Sequence, residues 1–260
     1  MANTLFIGKV YHRFDELPST NDYARELLAK SKPPEGTVVR AASQSAGRGQ
    51  YGSRWLSAPD QNLLLSFILY PAWLAASEQF RLSEAVALAV LDAVRPKDGR
   101  PQGSLLRTTV KWPNDIYLGD RKTAGILIQN ALSGHFLQSS IVGIGLNVNQ
   151  REFPLEAPNA TSLCLTTGKS FDLDAVAETL FACIERRYLQ LKSGKTAALR
   201  AEYHQNLYGL GEKRAFARPD GSSFPGVIRG VADDGQLVVH TDTGEKMFGV
   251  KEVVFGRGVF

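Results

Sequence analysis

The sequence predicts an α+β fold that ends in a small β-barrel of the SH3-like kind, with units at 1–208 and 209–260. Three observations carry this prediction. Strand-like runs and amphipathic helical segments alternate along residues 1–208. A glycine-rich loop near residue 47 joins strand to strand rather than strand to helix, which removes the usual dinucleotide-binding architecture. After Gly209 the composition shifts to short β-rich runs.

Taken in order, Leu5 to Phe14 alternates loosely, carries Val, Ile, Tyr and Phe, and reads as a strand. Ser19-Thr20-Asn21 supplies helix-capping residues, and Tyr23, Ala24, Leu27 and Leu28 follow at helical spacing before Pro33-Pro34. These three polar residues read equally as a plain N-cap or as hydrogen-bonding groups offered to a ligand. Thr37 to Ser43 is a strand, and Leu63 to Tyr70 is apolar at nearly every position, as a fully buried strand is. Glu78 to Val94 is helical, and Pro96 to Gly103 is a polar loop. Val110 to Trp112 ends a strand, a Pro-Asn-Asp turn and a short strand follow, and a Gly-Asp turn leads into a strand through Ile128. Phe136 to Asn147 is a further strand, and residues 151–171 form a Pro-rich connection. Asp172 caps an amphipathic helix carrying Leu173, Val176, Ala177, Leu180, Ile184 and Leu191, and Thr196 to Leu207 is a shorter one. In the last part, Arg214–Ala217, Phe224–Val231, Gln236–Thr241 and Lys246–Val254 are strands separated by Pro-Asp-Gly, Asp-Asp-Gly and Asp-Thr-Gly hairpin signals.

The most informative stretch runs from Ser43 to Trp55. Gly47, Gly49 and Gly52 lie within six residues, with Arg48 between the first two. Such a loop lets backbone approach a ligand, and its N–H groups can form an anion-binding concavity. Arg48 adds a permanent charge with a planar fork suited to carboxylate or phosphate. Trp55 offers a flat apolar face for a core or for a base. The Gly-x-Gly-x-x-Gly match does not make a nicotinamide or flavin site, because no helix follows and the next run holds no acid. A second Gly-Arg-Gly at Gly256–Gly258 shows how little the tripeptide means alone. Gly168-Lys169-Ser170 is not a P-loop, since Leu163 stands where the earlier glycine is required.

The second block is Lys111-Trp-Pro-Asn-Asp115 with Asp120-Arg-Lys122. Lys111 and Lys122 flank strand–turn junctions and could converge on one anion. Asn114 could read an adenine edge and Asp115 help hold a metal, or the block is an ordinary hairpin. Gly143 and Gly145, inside a strand, mark close backbone approach to a neighbour or to a ligand.

Of 260 residues, 43% are hydrophobic and 22% charged, which are globular values. The net charge of +4 suits an anionic substrate but is too small to argue for nucleic acid. Cys164 and Cys183 make neither a close pair nor, with four scattered histidines, a zinc spacing. With no apolar leader and no membrane-length run, the reading is a soluble cytoplasmic protein.

Ser19-Thr-Asn21, Gln44 to Gln50, Trp55, Lys111 to Asp115, Asp120 to Lys122 with Ala124-Gly125-Ile-Leu127, and Gly143-Ile-Gly145-Leu-Asn147 occur in an order that resembles the biotin–protein ligases. The resemblance runs from about Leu17 to the C-terminus. It implies a mixed sheet with flanking helices and a two-step reaction. Biotin attacks the α-phosphate of ATP to give biotinyl-5'-AMP, and a lysine of a biotin carboxyl carrier protein then takes the biotinyl group. By resemblance, Ser19, Thr20, Asn21, Gln44, Arg48, Gly49, Gln50, Lys122, Gly125, Gly143 and Gly145 surround biotin. Arg48, Trp55, Lys111, Asn114, Asp115, Lys122 and Asn147 meet ATP, with a Mg2+ ion at Asp115. Lys122, Arg48 and Lys111 carry the catalytic charge. Gln50, Tyr51 and Ser53 depart from the pattern, because several family members have basic residues there. The short segment before Ser19 has no room for the helix-turn-helix domain of members that double as repressors, so no specific DNA binding is expected. A homodimer through an exposed edge strand is a further expectation. Rival readings are a lipoate or octanoate ligase or transferase on the same fold, and a non-catalytic biotin-binding module.

Overall fold

The most apolar run of the sequence forms the middle of a sheet. The computed structural model describes residues 3–95 and 107–259. The expected polar loop at Pro96–Gly103 lies outside the described residues. Strands β1 (Tyr11–Leu17), β2 (Val38–Gln44), β3 (Asn62–Leu69), β4 (Thr108–Lys111), β5 (Asp115–Leu118), β6 (Arg121–Ser133) and β7 (Phe136–Asn147) make a seven-stranded sheet in the order β1-β2-β3-β7-β6-β5-β4. The sheet is mixed: β1 and β2 run parallel, and the other neighbours are antiparallel. All eight positions of β3 are buried, which its near-continuous apolar sequence requires of a strand covered on both faces.

Helix α1 (Thr20–Lys30) covers one face. Its Ala24 packs with Val39, Ile68 and Ile141. The opposite face carries α2 (Phe80–Val94), α4 (Leu173–Lys192) and α5 (Thr196–Gln205), with Val38, Phe67 and Val142 turned toward them. Neighbouring residues such as Val38 and Val39 serve opposite layers, as the period of two in a strand dictates. Cys164 and Cys183 are both buried and form no disulfide among the described residues. Among the described residues, no helix is long and apolar enough to cross a membrane.

The sequence reading needs three corrections. The first strand begins at Tyr11, not Leu5. Gly8 turns the chain at φ 75, and the N–H groups of Leu5, Phe6 and Ile7 are taken by the Glu185 carboxylate of α4 at 2.7–3.1 Å rather than by a sheet neighbour. The connection at 151–171 contains a short helix, α3 (Leu163–Thr167), capped by Ser162 Oγ, which accepts from the Leu165 N–H. The last expected run, Lys246–Val254, is split between two strands.

Those strands belong to a second, antiparallel sheet. It comprises β8 (Lys213–Ala217), β9 (Ser223–Val231), β10 (Leu237–Thr241), β11 (Gly244–Phe248) and β12 (Val254–Val259), in the order β11-β10-β9-β8-β12. Its strands are of the kind expected for an SH3-like unit. Its core residues Phe216, Ile228 and Leu237 continue into the same apolar cluster as Trp112 and Tyr203 of the first part. The Trp112 indole N–H donates to the Gly235 carbonyl at 2.8 Å, and Arg200 of α5 donates to the Val231 carbonyl at 2.7 Å.

Candidate active site

Sheet register builds the site. Across the α1 face, Leu64, Gly145, Gly125, Asp115 and Lys111 pair in one row. Ser66, Gly143 and Leu127 form the next row, and Ile68, Ile141 and Gln129 the third. Residues paired across antiparallel strands share a face, so glycines replace side chains in the middle of this face. The gap admits side chains from elsewhere. A Cβ on Gly143 would stand 2.3 Å from Asn21 Oδ1, and one on Gly145 would stand 2.3 Å from the Trp55 ring. A Cβ on Gly125 would meet that ring at 2.9 Å.

The N-terminus of α1 closes one side of this cavity. Ser19 Oγ accepts from the Asp22 N–H, so the capping reading holds. Thr20 and Asn21 are also buried against the sheet. Asn21 Nδ2 donates to Gln129 Oε1 at 3.2 Å, and Ser66 Oγ donates to Asn21 Oδ1 at 2.6 Å. Gln44 Oε1 accepts from the Thr20 N–H at 2.7 Å. Ser19 thus both caps the helix and lines the cavity, which Thr20, Asn21 and Gln44 line as well.

The glycine loop forms the lid side. It folds as a small hairpin in which the Gly49 N–H donates to the Ser53 carbonyl and the Trp55 N–H to the Gly47 carbonyl. Those two N–H groups are therefore spent inside the loop instead of lining an anion concavity. Gly47 has to be glycine, because a Cβ would lie 2.5 Å from the Trp55 carbonyl oxygen. Arg48, Gly49 and Gln50 line the cavity, and Arg48 Nε pairs with Asp22 Oδ2 at 3.0 Å.

The β5–β6 end supplies the charge. Lys122 Nζ lies 2.6 Å from Asp115 Oδ1 and 5.5 Å from the centre of a Trp55 ring. A second cavity adjoins the first, and Gln44, Trp55 and Lys122 line both. Asn147 faces this second cavity. Its Nδ2 donates to the Thr161 carbonyl at 3.0 Å, and its buried Oδ1 has no hydrogen-bond partner among the described residues. Asn114 lines the first cavity, with its Nδ2 donating to the Ile126 carbonyl at 2.6 Å.

Lys111 goes elsewhere. It shares the row of Asp115 but lines neither cavity. Its Nζ meets the Tyr117 hydroxyl at 3.1 Å and lies over the Phe255 ring at 4.8 Å and the Tyr208 ring at 5.9 Å. The two lysines do not converge on one point. Burial pulls the Lys111 pKa below the ordinary lysine value, opposed by Asp115 and helped by Lys122 and Arg214. For a divalent cation the fit is partial. Asp115 is the carboxylate at this rim, already paired with Lys122, and no group of three or more His, Cys, Asp or Glu gathers among the described residues.

Sequence reasoning missed several residues. Ser66 is the polar residue inside the apolar run of β3, a signal that was present in the sequence. Gln129, Tyr117 and Asp22 carried no such signal. Nor did residues 153–161, most of which wall the second cavity and which hold the Lys122 backbone through Lys122 N–H to Asn159 carbonyl and Thr161 N–H to Lys122 carbonyl, both 2.8 Å.

The fold and the comparisons together place the chain among the protein ligases. The chain belongs to the biotin/lipoate A/B protein ligase family, whose model matches residues 13–147. It is 33% identical over 250 residues to the bifunctional ligase/repressor BirA of Bacillus subtilis, covering 95% of this chain and 74% of that protein. It is 33% identical over 247 residues to the biotin–[acetyl-CoA-carboxylase] ligase of Paracoccus denitrificans, covering 92% of this chain and 99% of that one. Among solved structures, the biotin protein ligase from Aquifex aeolicus in complex with biotin and ATP superposes with a TM-score of 0.78. The two are 28% identical, over 96% of this chain and 100% of that one.

Proposed function

We propose that this chain is an ATP-dependent biotin–protein ligase that makes biotinyl-5'-AMP and transfers the biotinyl group to a lysine of a biotin carboxyl carrier protein. The observation that carries the reading is Lys122 at the junction of two adjoining cavities, one polar and glycine-floored, the other walled by Trp55 and Asn147. The family's biotin- and ATP-bound relative and the carboxylase ligases support it.

In this reading biotin occupies the first cavity with its ureido ring toward Thr20, Asn21 and Gln44. Its carboxylate points to Lys122. A carboxylate oxygen attacks the α-phosphorus of ATP, the P–O bond to the β-phosphate breaks, and pyrophosphate leaves. Lys122 and Arg48 neutralise charge that builds on the carboxylate and the α-phosphate, which is where a fixed cation lowers the barrier most. Asp115 holds the Lys122 ammonium in place. The adenine lies against Trp55, with Asn147 and Asn114 at the nucleotide. Lys111, from its aromatic surroundings, contributes long-range positive charge on the phosphate side. A magnesium ion would supply charge neutralisation on the triphosphate, and Asp115 is the residue of this chain that would help hold it. In the second step the carrier's neutral lysine amine attacks the acyl carbon, the C–O bond to AMP breaks, and a proton leaves the nitrogen as the amide forms. The anhydride is already activated, so this step needs orientation and exclusion of water more than further catalysis. The ligands fall to residues 1–208, with 209–260 as a separate unit, and the reaction belongs to the cytoplasm.

The test is biotin-dependent exchange of labelled pyrophosphate into ATP, run in parallel with lipoate. Exchange with biotin alone is expected. Exchange with lipoate alone would replace the substrate and keep the reaction class. Biotin binding without any exchange would make the chain a binding module.

A further inference from the structure

Among the described residues, one ion pair ties the glycine loop to α1. Arg48 Nε meets Asp22 Oδ2, and the other oxygen of Asp22 pairs with Arg25 one turn further along the helix. The carboxylate is largely shielded, with its side chain 21% exposed, whereas Arg48 is 53% exposed. The Asp22 N–H meanwhile meets Ser19 Oγ, so the backbone of Asp22 belongs to the turn that presents Thr20 and Asn21 to the cavity. Asp22 therefore connects two walls of one cavity, the helix N-terminus and the loop. An acid in the first turn stabilises any helix through its dipole. That role does not require an arginine from a loop distant in sequence to reach it. Asp22 binds the Nε edge of Arg48, and the two Nη groups carry no hydrogen bond among the described residues, which leaves them for a bound anion.

We propose that Asp22 is a positioning residue that holds the glycine loop closed through Arg48 and so retains the acyl-adenylate until the acceptor amine arrives. The proposal rests on the adenylate-forming reading above. Loss of the carboxylate would free Arg48 and open the loop, leaving Lys122 and the Thr20, Asn21 and Gln44 wall of the cavity in place. The consequence is faster escape of the adenylate, with a smaller loss in the rate at which it forms because Lys122 keeps its place.

The experiment loads the enzyme with labelled biotinyl-adenylate made in place, adds excess unlabelled biotin, and follows release of label without acceptor. Wild type, Asp22→Asn and Asp22→Glu are compared at about 0.05 M and about 1 M salt, alongside pyrophosphate exchange at saturating biotin and ATP. For Asp22→Asn, release is expected to be about fivefold faster than wild type at low salt, the span of a partly exposed ion pair. The difference shrinks at high salt, Asp22→Glu restores retention, and exchange in Asp22→Asn falls by a smaller factor than release rises. Unchanged release in Asp22→Asn overturns the tether. So does release accelerated equally in Asn and Glu variants regardless of salt, which is the behaviour of a helix-terminal acid only. A wild-type enzyme without exchange would remove the adenylate reading, and the tether with it. Normal exchange with unchanged release would remove the tether alone.

Discussion

Lys122 stands where it does because three unrelated groups fix it. Its backbone is clamped between Asn159 and Thr161, and its ammonium is drawn to Asp115 at 2.6 Å and to the face of Trp55. The side chain remains about one-third exposed, open to both cavities. Lys122→Ala is expected to fold and to lose adenylate formation by about a hundredfold or more, the loss typical of a principal electrostatic contact. Single-turnover formation of biotinyl-adenylate checks this, with circular dichroism to confirm folding. A folded variant near wild-type rate would take Lys122 out of the mechanism. Lys111 and Lys122 looked equivalent in the sequence. They separate because Tyr208 and Phe255, distant in the chain, pack around Lys111.

At the scale of elements, β7 sets the shape of the site through two glycines that take different intruders. Gly143 makes room for Asn21 and Gly145 for Trp55. Glycine in a strand interior weakens the strand, so close approach is the compensating reason for it here. Gly143→Ala should push Asn21 out of place and weaken biotin binding by roughly tenfold or more, with ATP affinity nearly unchanged. Gly145→Ala should displace Trp55 and show the reverse preference. Both carry an overpacking cost of about 1–3 kcal/mol. Separate titrations of biotin and of a non-hydrolysable ATP analogue give the two Kd values. Equal losses of both ligands in both variants would mean the glycines serve packing alone.

At the scale of the whole molecule, a few polar groups lie beside the shared apolar cluster that joins the helices to the second sheet. Glu84 of α2 is 2% exposed, and among the described residues neither its Oε1 nor the hydroxyl of the fully buried Tyr203 of α5 has a hydrogen-bond partner. Arg200 of α5 lies 4.0 Å from Glu84 and pairs with Asp233 across the joint at 2.5 Å. Burial pushes the Glu84 pKa up to about 7 from the ordinary 4.5, with Arg200 and Arg81 opposing and Asp233 assisting. A raised folded-state pKa means that the protonated acid favours folding. That stability is complete below about pH 4.5 and is lost as pH rises through about 7. Glu84→Gln, neutral throughout, should raise Tm above wild type at high pH by a few degrees. The gain should fade as pH is lowered toward 5. Thermal melts across that range test it, and a pH-independent difference would mean that Glu84 stays ionised beside Arg200.

The sequence by itself determined the elements whose causes are local. The cap at Ser19, the end of α1 before Pro33-Pro34, the full burial of β3 and the hairpin signals after Gly209 depend on near neighbours and periodicity, and all were legible. The motif residues that line the two cavities were visible in the sequence as glycines inside strands and polar residues at turns and at a helix start. Tertiary structure decided the rest. Register across β3, β7, β6 and β5 aligned Ser66, Gly143, Gly145, Gly125 and Asp115 into one floor. The docking of the second sheet sent Lys111 into an aromatic pocket, and Glu185 held the first residues away from β1. The pairing of Arg48 with Asp22 came from the fold of a loop against a helix. These contacts join residues far apart in the chain, and no local pattern encodes which of several lysines, carboxylates or arginines will meet once the core has closed.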